Sequence, residues 1–446
     1  MPITNEAHAL FREANTAFEL GDLESAAEKY RRLLSEDEPV RGFATYNLNI
    51  LHSLQKDSSG NISSTETEAI KIDNNKLKDA ERTKTFLYRP SSPAMDDSEI
   101  ETLRKLGAAL LGPIIASYFK NLSSYLEKNK DVKRLHFLAR EGFVLQHINS
   151  RLQKLDLIKT VDTTYLLCSR TLLFKLCLGS PELWDAVLDH HYTGSIRKLL
   201  SDRFHLANDE IKILCGAKGF HTDLDREDLV LPRDREIVKN FFDTRKIELV
   251  SMIQPKTKAY LNYLNKIGFG KRPTEHVVDI GYAGTIQKIL TSLTDKRTIG
   301  HYFITTTKAI DGPTSGFIGH LLSNQEFGLG VPILDRSLFI ESMLTAPHGQ
   351  VVDITETSGT TEFTFGKKTV AQIKYFKLFE IIEGATTYAI RALQNKTTMT
   401  PDELNSYYGK FVSTPYIFPQ SARELFEIDD SISGLGTLNP IDFFKA

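Results

Sequence analysis

Cysteine is scarce in this chain: there are 3 in 446 residues, Cys168, Cys177 and Cys215. None has metal-ligand spacing such as C-x-x-C, and three thiols make no disulfide framework, which fits a reducing cytoplasm. An excess of either charge is missing too. Lys and Arg number 55 against 57 Asp and Glu, a net charge of -2, so nothing in the balance points to nucleic acid as a partner. Apolar runs are short. None reaches the roughly 18 residues of a membrane span, and the longest, Leu106 to Phe119, reads as a buried helix. The first residues, MPITNEAHALFREAN, lack the apolar centre of a secretion signal. The expectation is therefore a cytoplasmic protein with no membrane span, able to work at the inner face of the membrane.

The length allows two or three domains. In residues 1–56, Ala14, Gly21, Ala26, Tyr30 and Leu33 stand at the small and aromatic packing positions of a helical hairpin, and Pro39 follows. This spacing resembles a tetratricopeptide unit; one such unit cannot bury its own face and must dock on something else. Residues 57–97 read as a linker, polar at first and broken later by Arg89-Pro-Ser-Ser-Pro. Residues 98–350 carry strand and helix signals in alternation, which predicts an α/β domain with a parallel sheet. Within it, 171–270 has helical periodicity and reads as a large helical insertion; Trp184, the only tryptophan, is a core residue there. Residues 351–446, with a strong apolar period over 369–395, read as a helical C-terminal region packing on the core.

Three predicted strands end in chemistry. The first, from Arg134, delivers Arg140-Glu141-Gly142. The second, from Thr163, delivers Ser169-Arg170. The third, Val277-Val278, delivers Asp279-Ile280-Gly281-Tyr282-Ala283-Gly284-Thr285 before a new helix. Strand, glycine turn and helix aim backbone N–H groups at an anion. Two glycines allow close approach, and Thr285 offers a cap and a hydroxyl. In a parallel sheet all three ends share one edge. Two arginines, an acid and such a turn suit a ligand with separated phosphates, because arginine forks bind phosphate oxygens in pairs. Taken alone, each feature has a plainer reading: a surface ion pair or an ordinary strand-to-helix turn.

The segments FLAREGFVLQ at 137–146, YLLCSRTLL at 165–173 and VVDIGYAGTIQ at 277–287 resemble the motifs of bacterial glycan phosphoribosyltransferases. That family is similar to type I phosphoribosyltransferases and builds ribofuranose into O-antigens and capsules. The resemblance, over about residues 98–350, implies transfer of ribofuranosyl 5-phosphate from phosphoribosyl pyrophosphate (PRPP) to a sugar hydroxyl of an oligosaccharide or lipid-linked glycan. Inversion would give a β-ribofuranoside. It implies that Gly281, Tyr282, Ala283, Gly284 and Thr285, with Gln287 of the same motif, cradle the 5-phosphate. Asp279 would hold the ribose hydroxyls, directly or through Mg²⁺. Arg140, Glu141 and Gly142 would form the pyrophosphate loop, and Ser169 and Arg170 would add donors to it. Glu141 and Glu341 are the candidates for general base, with His348 third. Two departures stand out. Ile280 occupies the place where nucleotide-making relatives carry a second acid, and Glu141 replaces the usual Asp. No D-x-D-x-T phosphatase signature is present, so a partner phosphatase or glycosyltransferase is expected. The competing readings are a methyltransferase using S-adenosylmethionine, since Val278-Asp-Ile-Gly-Tyr-Ala-Gly284 resembles its first motif, and a non-enzymatic scaffold. Thr305-Thr306-Thr307-Lys308 offers no acid where the methyltransferase needs one.

Overall fold

The computed structural model describes residues 9, 10, 13, 14, 17, 22–35, 44, 48, 95–215, 229–357, 359–413, 418–430 and 436–444. The predicted linker therefore lies almost wholly outside the described residues. So does most of the segment 1–56, apart from the helix Leu23–Leu33 and a few isolated positions.

The architecture is α/β. Five strands form one sheet: β1 (Arg134–Leu138), β2 (Asp162–Leu166), β3 (Thr274–Val278), β4 (Arg297–Thr306) and β5 (Ser315–Gln325). Their order is β2-β1-β3-β4-β5, with every pairing parallel. In register, His136 faces Val277 and Val278 faces His301. Helices cover both faces, as a parallel sheet requires. On one face lie α1 (Asp97–Leu110), α2 (Gly112–Lys128), α3 (Gly142–Lys154) and the long α8 (Tyr375–Asn395); on the other, α4 (Arg170–Cys177), α5 (Lys246–Lys266) and α6 (Thr285–Thr294). Strand side chains alternate between the two cores: Val277 belongs to one and its neighbour Val278 to the other.

The apolar run Leu106 to Phe119, read above as one buried helix, is divided between two helices. Asp96 caps the first, its carboxylate accepting from Glu99 N at 2.7 Å. The second begins at Gly112-Pro113, where proline suits a helix start and not a helix interior. Helix α1 crosses α8 closely: a Cβ at Gly107 would lie 1.8 Å from Ile381 O, and one at Gly384 2.0 Å from Arg104 O. Only glycine allows that approach.

Among the described residues of 171–270 there are several helices and a short ribbon pairing Tyr192–Gly194 to Leu229–Leu231. Two features differ from the expectation. Strand β5 follows β4 after residues 307–314 alone, with no helix between them. The C-terminal region opens not with helix but with a hairpin, β6 (Val351–Thr357) and β7 (Thr360–Phe365). Its β-branched alternation around Gly359, which has φ 77°, is a hairpin signal. Among the described residues no helix is long and apolar enough to cross a membrane.

Candidate functional site

In this strand order the chain moves from β1 to one neighbour, β2, and later returns to the other, β3. The C-terminal edge between β1 and β3 is thus the topological switch point, where open α/β sheets hold ligands. Arg140-Glu141-Gly142 leaves β1 there and Asp279 to Thr285 leaves β3 there. The Ala139–Arg140 and Gly281–Tyr282 peptides are cis. Backbone pairing fixes both exits. Ala139 N donates to Leu166 O at 3.0 Å, Asp279 N to His301 O at 3.1 Å, and Thr306 N to Tyr282 O at 3.0 Å.

Both exits open helices without a side-chain cap. Glu141 stands at the N-cap of α3 and Gly284 at that of α6. Two helix starts with N–H groups uncapped by side chains therefore face one edge. The cap expected of Thr285 is absent because Thr285 is already the first helical residue. Gly284 carries the turn at φ 67°, and a Cβ there would sit 2.2 Å from Phe317 Cε1.

The acids and bases from separate segments act on one another across this edge. Burial raises the Asp279 carboxyl well above its ordinary range. The charge of Glu141 raises it further, the hydrogen bond from Ile280 N (2.8 Å) opposes, and Glu341 raises it while Arg170 lowers it. Burial pushes Glu341 up to about 7. Glu141 adds to the rise, and Arg170, a hydrogen bond with Tyr282 and Arg140 hold it down. The Tyr282 hydroxyl feels both Glu341, which raises its pKa, and Ser337, which lowers it. Arg140, Glu141, Arg170, Asp279, Tyr282 and Glu341 thus form one electrostatic cluster. Glu341 comes from α7 (Leu338–Met343), a short helix beyond the sheet.

Other expected residues take structural positions. Gln287 is fully buried: its amide nitrogen lies near Thr298 O, Thr298 Oγ1 and Gly316 O, and its oxygen accepts from Tyr302 at 2.7 Å. With its polar atoms used inside the sheet it has no reach toward a ligand. Ser169 caps α4 by accepting from Leu172 N at 2.9 Å and donates its hydroxyl to Val351 O, so its proton is not offered to a phosphate. His348 is buried and neutral. Burial pushes it down to about 4, Nδ1 donates to Gly349 O at 2.7 Å, and Nε2 accepts from Tyr165 at 2.8 Å. Both ring nitrogens are occupied, which removes it from the list of bases. Its partner Tyr165, and Lys368, which joins Arg140 in holding the imidazole down, were not singled out from the sequence. Tyr165 sits inside the second motif, whereas nothing in Gly366-Lys367-Lys368 marks it.

Among the described residues no three His, Cys, Asp or Glu side chains are grouped to hold a metal ion. A cation here would need oxygens from a ligand as well as from Asp279. No protein-family model matches the chain, and no curated protein matches it.

Proposed function

We propose that the protein is a glycosyltransferase that moves ribofuranosyl 5-phosphate from PRPP to a sugar hydroxyl of a growing bacterial surface glycan. The observation that carries this reading is the electrostatic union of three strand ends at the switch point. Arg140 and Glu141 come from β1, Arg170 from β2, and Asp279 from β3 with its glycine turn. A ligand lying there would meet two helix starts and two guanidinium groups. That matches a pentose with a monophosphate at one end and a diphosphate at the other.

In this assignment the Gly281–Thr285 turn and the start of α6 receive the 5-phosphate. Asp279 receives the ribose hydroxyls, and Arg140 with Arg170 receives the pyrophosphate. Mg²⁺ bound to the pyrophosphate oxygens would neutralise charge on the leaving group. The acceptor oxygen forms a bond to the anomeric carbon as the bond to pyrophosphate breaks, so the β-ribofuranoside forms with inversion. The acceptor's proton goes to Glu341. Its rise to about 7 matches a general base working near neutrality. Tyr282 faces that carboxylate and interacts with it electrostatically. Glu141 accepts from Arg140 N at 3.1 Å and stays with its own loop, which favours Glu341 as the base. The rest of the work is positioning and charge stabilisation of an oxocarbenium-like state.

The finer fold assignment, a phosphoribosyltransferase-like sheet with tetratricopeptide-like N-terminal helices, belongs to the same proposal. It is supported by the five-stranded parallel sheet. It is also supported by the burial of Ala14, Ala26, Tyr30 and Leu33 in the apolar cluster that covers one sheet face. Calorimetry of the full chain with PRPP and MgCl₂, against S-adenosylmethionine, tests the reading. Binding of PRPP alone supports it; binding of S-adenosylmethionine alone selects the methyltransferase, and binding of neither selects the scaffold.

A further inference from the structure

Beyond β5 the chain runs Glu326-Phe327-Gly328-Leu329-Gly330-Val331. Phe327 is 54% exposed and Leu329 71%. Two large apolar side chains are thus displayed on one short turn. The turn that shows them is a built one. The Asp335 carboxylate accepts from Gly328 N at 2.7 Å and from Gly330 N and Val331 N at 3.0 Å each. Gly328 and Gly330 have φ of 82° and 80°, a conformation natural to glycine. The two apolar residues alternate with these glycines.

The turn is also tied to the candidate site. The Phe327 ring stands edge-on to Tyr282, with centroids 5.7 Å apart and an interplanar angle of 79°. Tyr282 lies in the glycine turn, within electrostatic reach of Glu341 and Ser337. One stretch, 327–341, thus holds the apolar pair, its anchor Asp335, the Tyr282 partner Ser337 and the carboxylate Glu341.

We propose that Phe327 and Leu329 form the acceptor platform, binding the C–H face of a hexopyranose ring so that one of its hydroxyls is directed at Glu341. This inference rests on the glycosyltransferase reading for the identity of the reaction. The chemistry of the occupant comes from the surface itself. A pyranose ring has an apolar C–H face for an aromatic ring face and a rim of hydroxyls for carboxylates. The platform offers both within one stretch of chain anchored by Asp335: ring and methyl groups at 327 and 329, acid at 341. A purely apolar partner would leave the Tyr282–Glu341 pair without a role, and a purely charged one would leave Phe327 and Leu329 in water.

Saturation-transfer NMR on the full chain with the methyl glycosides of glucose, galactose and mannose, each with and without PRPP and MgCl₂, tests it. The expected result is transfer onto the ring C–H protons of at least one glycoside. That transfer should fall about fivefold or more in Phe327→Ala, as loss of an aromatic contact implies, and return in Phe327→Tyr. The platform is overturned if no methyl hexopyranoside receives transfer, or if Phe327→Ala receives it undiminished. It is equally overturned if Phe327 instead governs sedimentation with phosphatidylethanolamine–phosphatidylglycerol vesicles while no glycoside binds. Failure of PRPP to bind, with Phe327-dependent transfer intact, removes the donor assignment and leaves the platform standing.

Discussion

Acidification should destabilise this protein through a stack of three imidazoles in the sheet. His276, His301 and His320 lie on adjacent strands β3, β4 and β5. His276 Nδ1 and His301 Nε2 are 3.0 Å apart, as are His301 Nδ1 and His320 Nε2. The rings are nearly parallel, with interplanar angles of 20° and 16°. Each gap holds one hydrogen, so the stack is satisfied when the rings are neutral. Helix α2 closes over it with Tyr118 and Tyr125. Among the charged groups that face it, Asp131 and Glu275 favour protonation of His276 and His136 opposes it. Burial wins and pushes His276 and His320 down to about 4; His301 is driven well below the ordinary value, with both neighbours adding to the effect. In the unfolded chain a histidine titrates near 6.5. The folded value is the lower one, so the stability contribution is complete above about pH 6.5 and is lost as pH falls toward about 4. At about pH 5 each ring has lost roughly 2 kcal/mol, and the two end rings together about 4 kcal/mol. That is a large share of a typical folding free energy of about 5–15 kcal/mol. Urea unfolding followed by far-ultraviolet circular dichroism at about pH 7, 6 and 5 measures it. His320→Gln keeps a hydrogen-bonding group but cannot titrate. Its loss of stability below about pH 6.5 should be shallower than wild type by up to about 1.4 kcal/mol per pH unit. Equal slopes in wild type and His320→Gln would refute the reasoning.

Three further outcomes follow from the site. Asp279→Asn should weaken PRPP binding by about 10- to 100-fold, the worth of a charge-assisted hydrogen bond. Its melting temperature should not fall, because burial with Glu141 and Glu341 already disfavours the carboxylate there and the amide has the same shape; calorimetry and thermal unfolding check both. Gly284→Ala should cost about 2 kcal/mol or more of stability, since it forces a left-handed backbone on a residue whose Cβ meets Phe317. Chemical denaturation reads that loss directly. If Glu341 is the base, the rate of transfer should rise as pH increases through about 7, where its carboxyl releases its proton, and Glu341→Gln should abolish that rise.

The sheet's chemistry was legible because it sits at strand ends. Arg140, Arg170 and Asp279 each follow a short β-branched or aromatic run, and parallel pairing brings such ends to one edge. The roles of Gln287, Ser169 and His348 were not legible. Each is decided by a partner far away in the chain: Gln287 by Thr298 and Gly316, Ser169 by Val351, His348 by Tyr165. Local spacing cannot reveal that a hydroxyl or amide is already committed. Strand β5 was missed because Gly316 and Gly319 dilute its strand signal. The hairpin β6–β7 was missed because the apolar period of the following helix dominated the reading of the whole C-terminal region. The break between α1 and α2 was marked by Pro113, yet the unbroken apolar run on either side of it concealed the boundary.

A crystal structure of the full chain with PRPP and Mg²⁺ decides whether three strand ends hold one doubly phosphorylated pentose. The expected density has the 5-phosphate at the Gly281–Thr285 turn, the ribose hydroxyls at Asp279, and the pyrophosphate between Arg140 and Arg170. Density for the ligand elsewhere on the molecule, or contact with only one of the three strand ends, would contradict it.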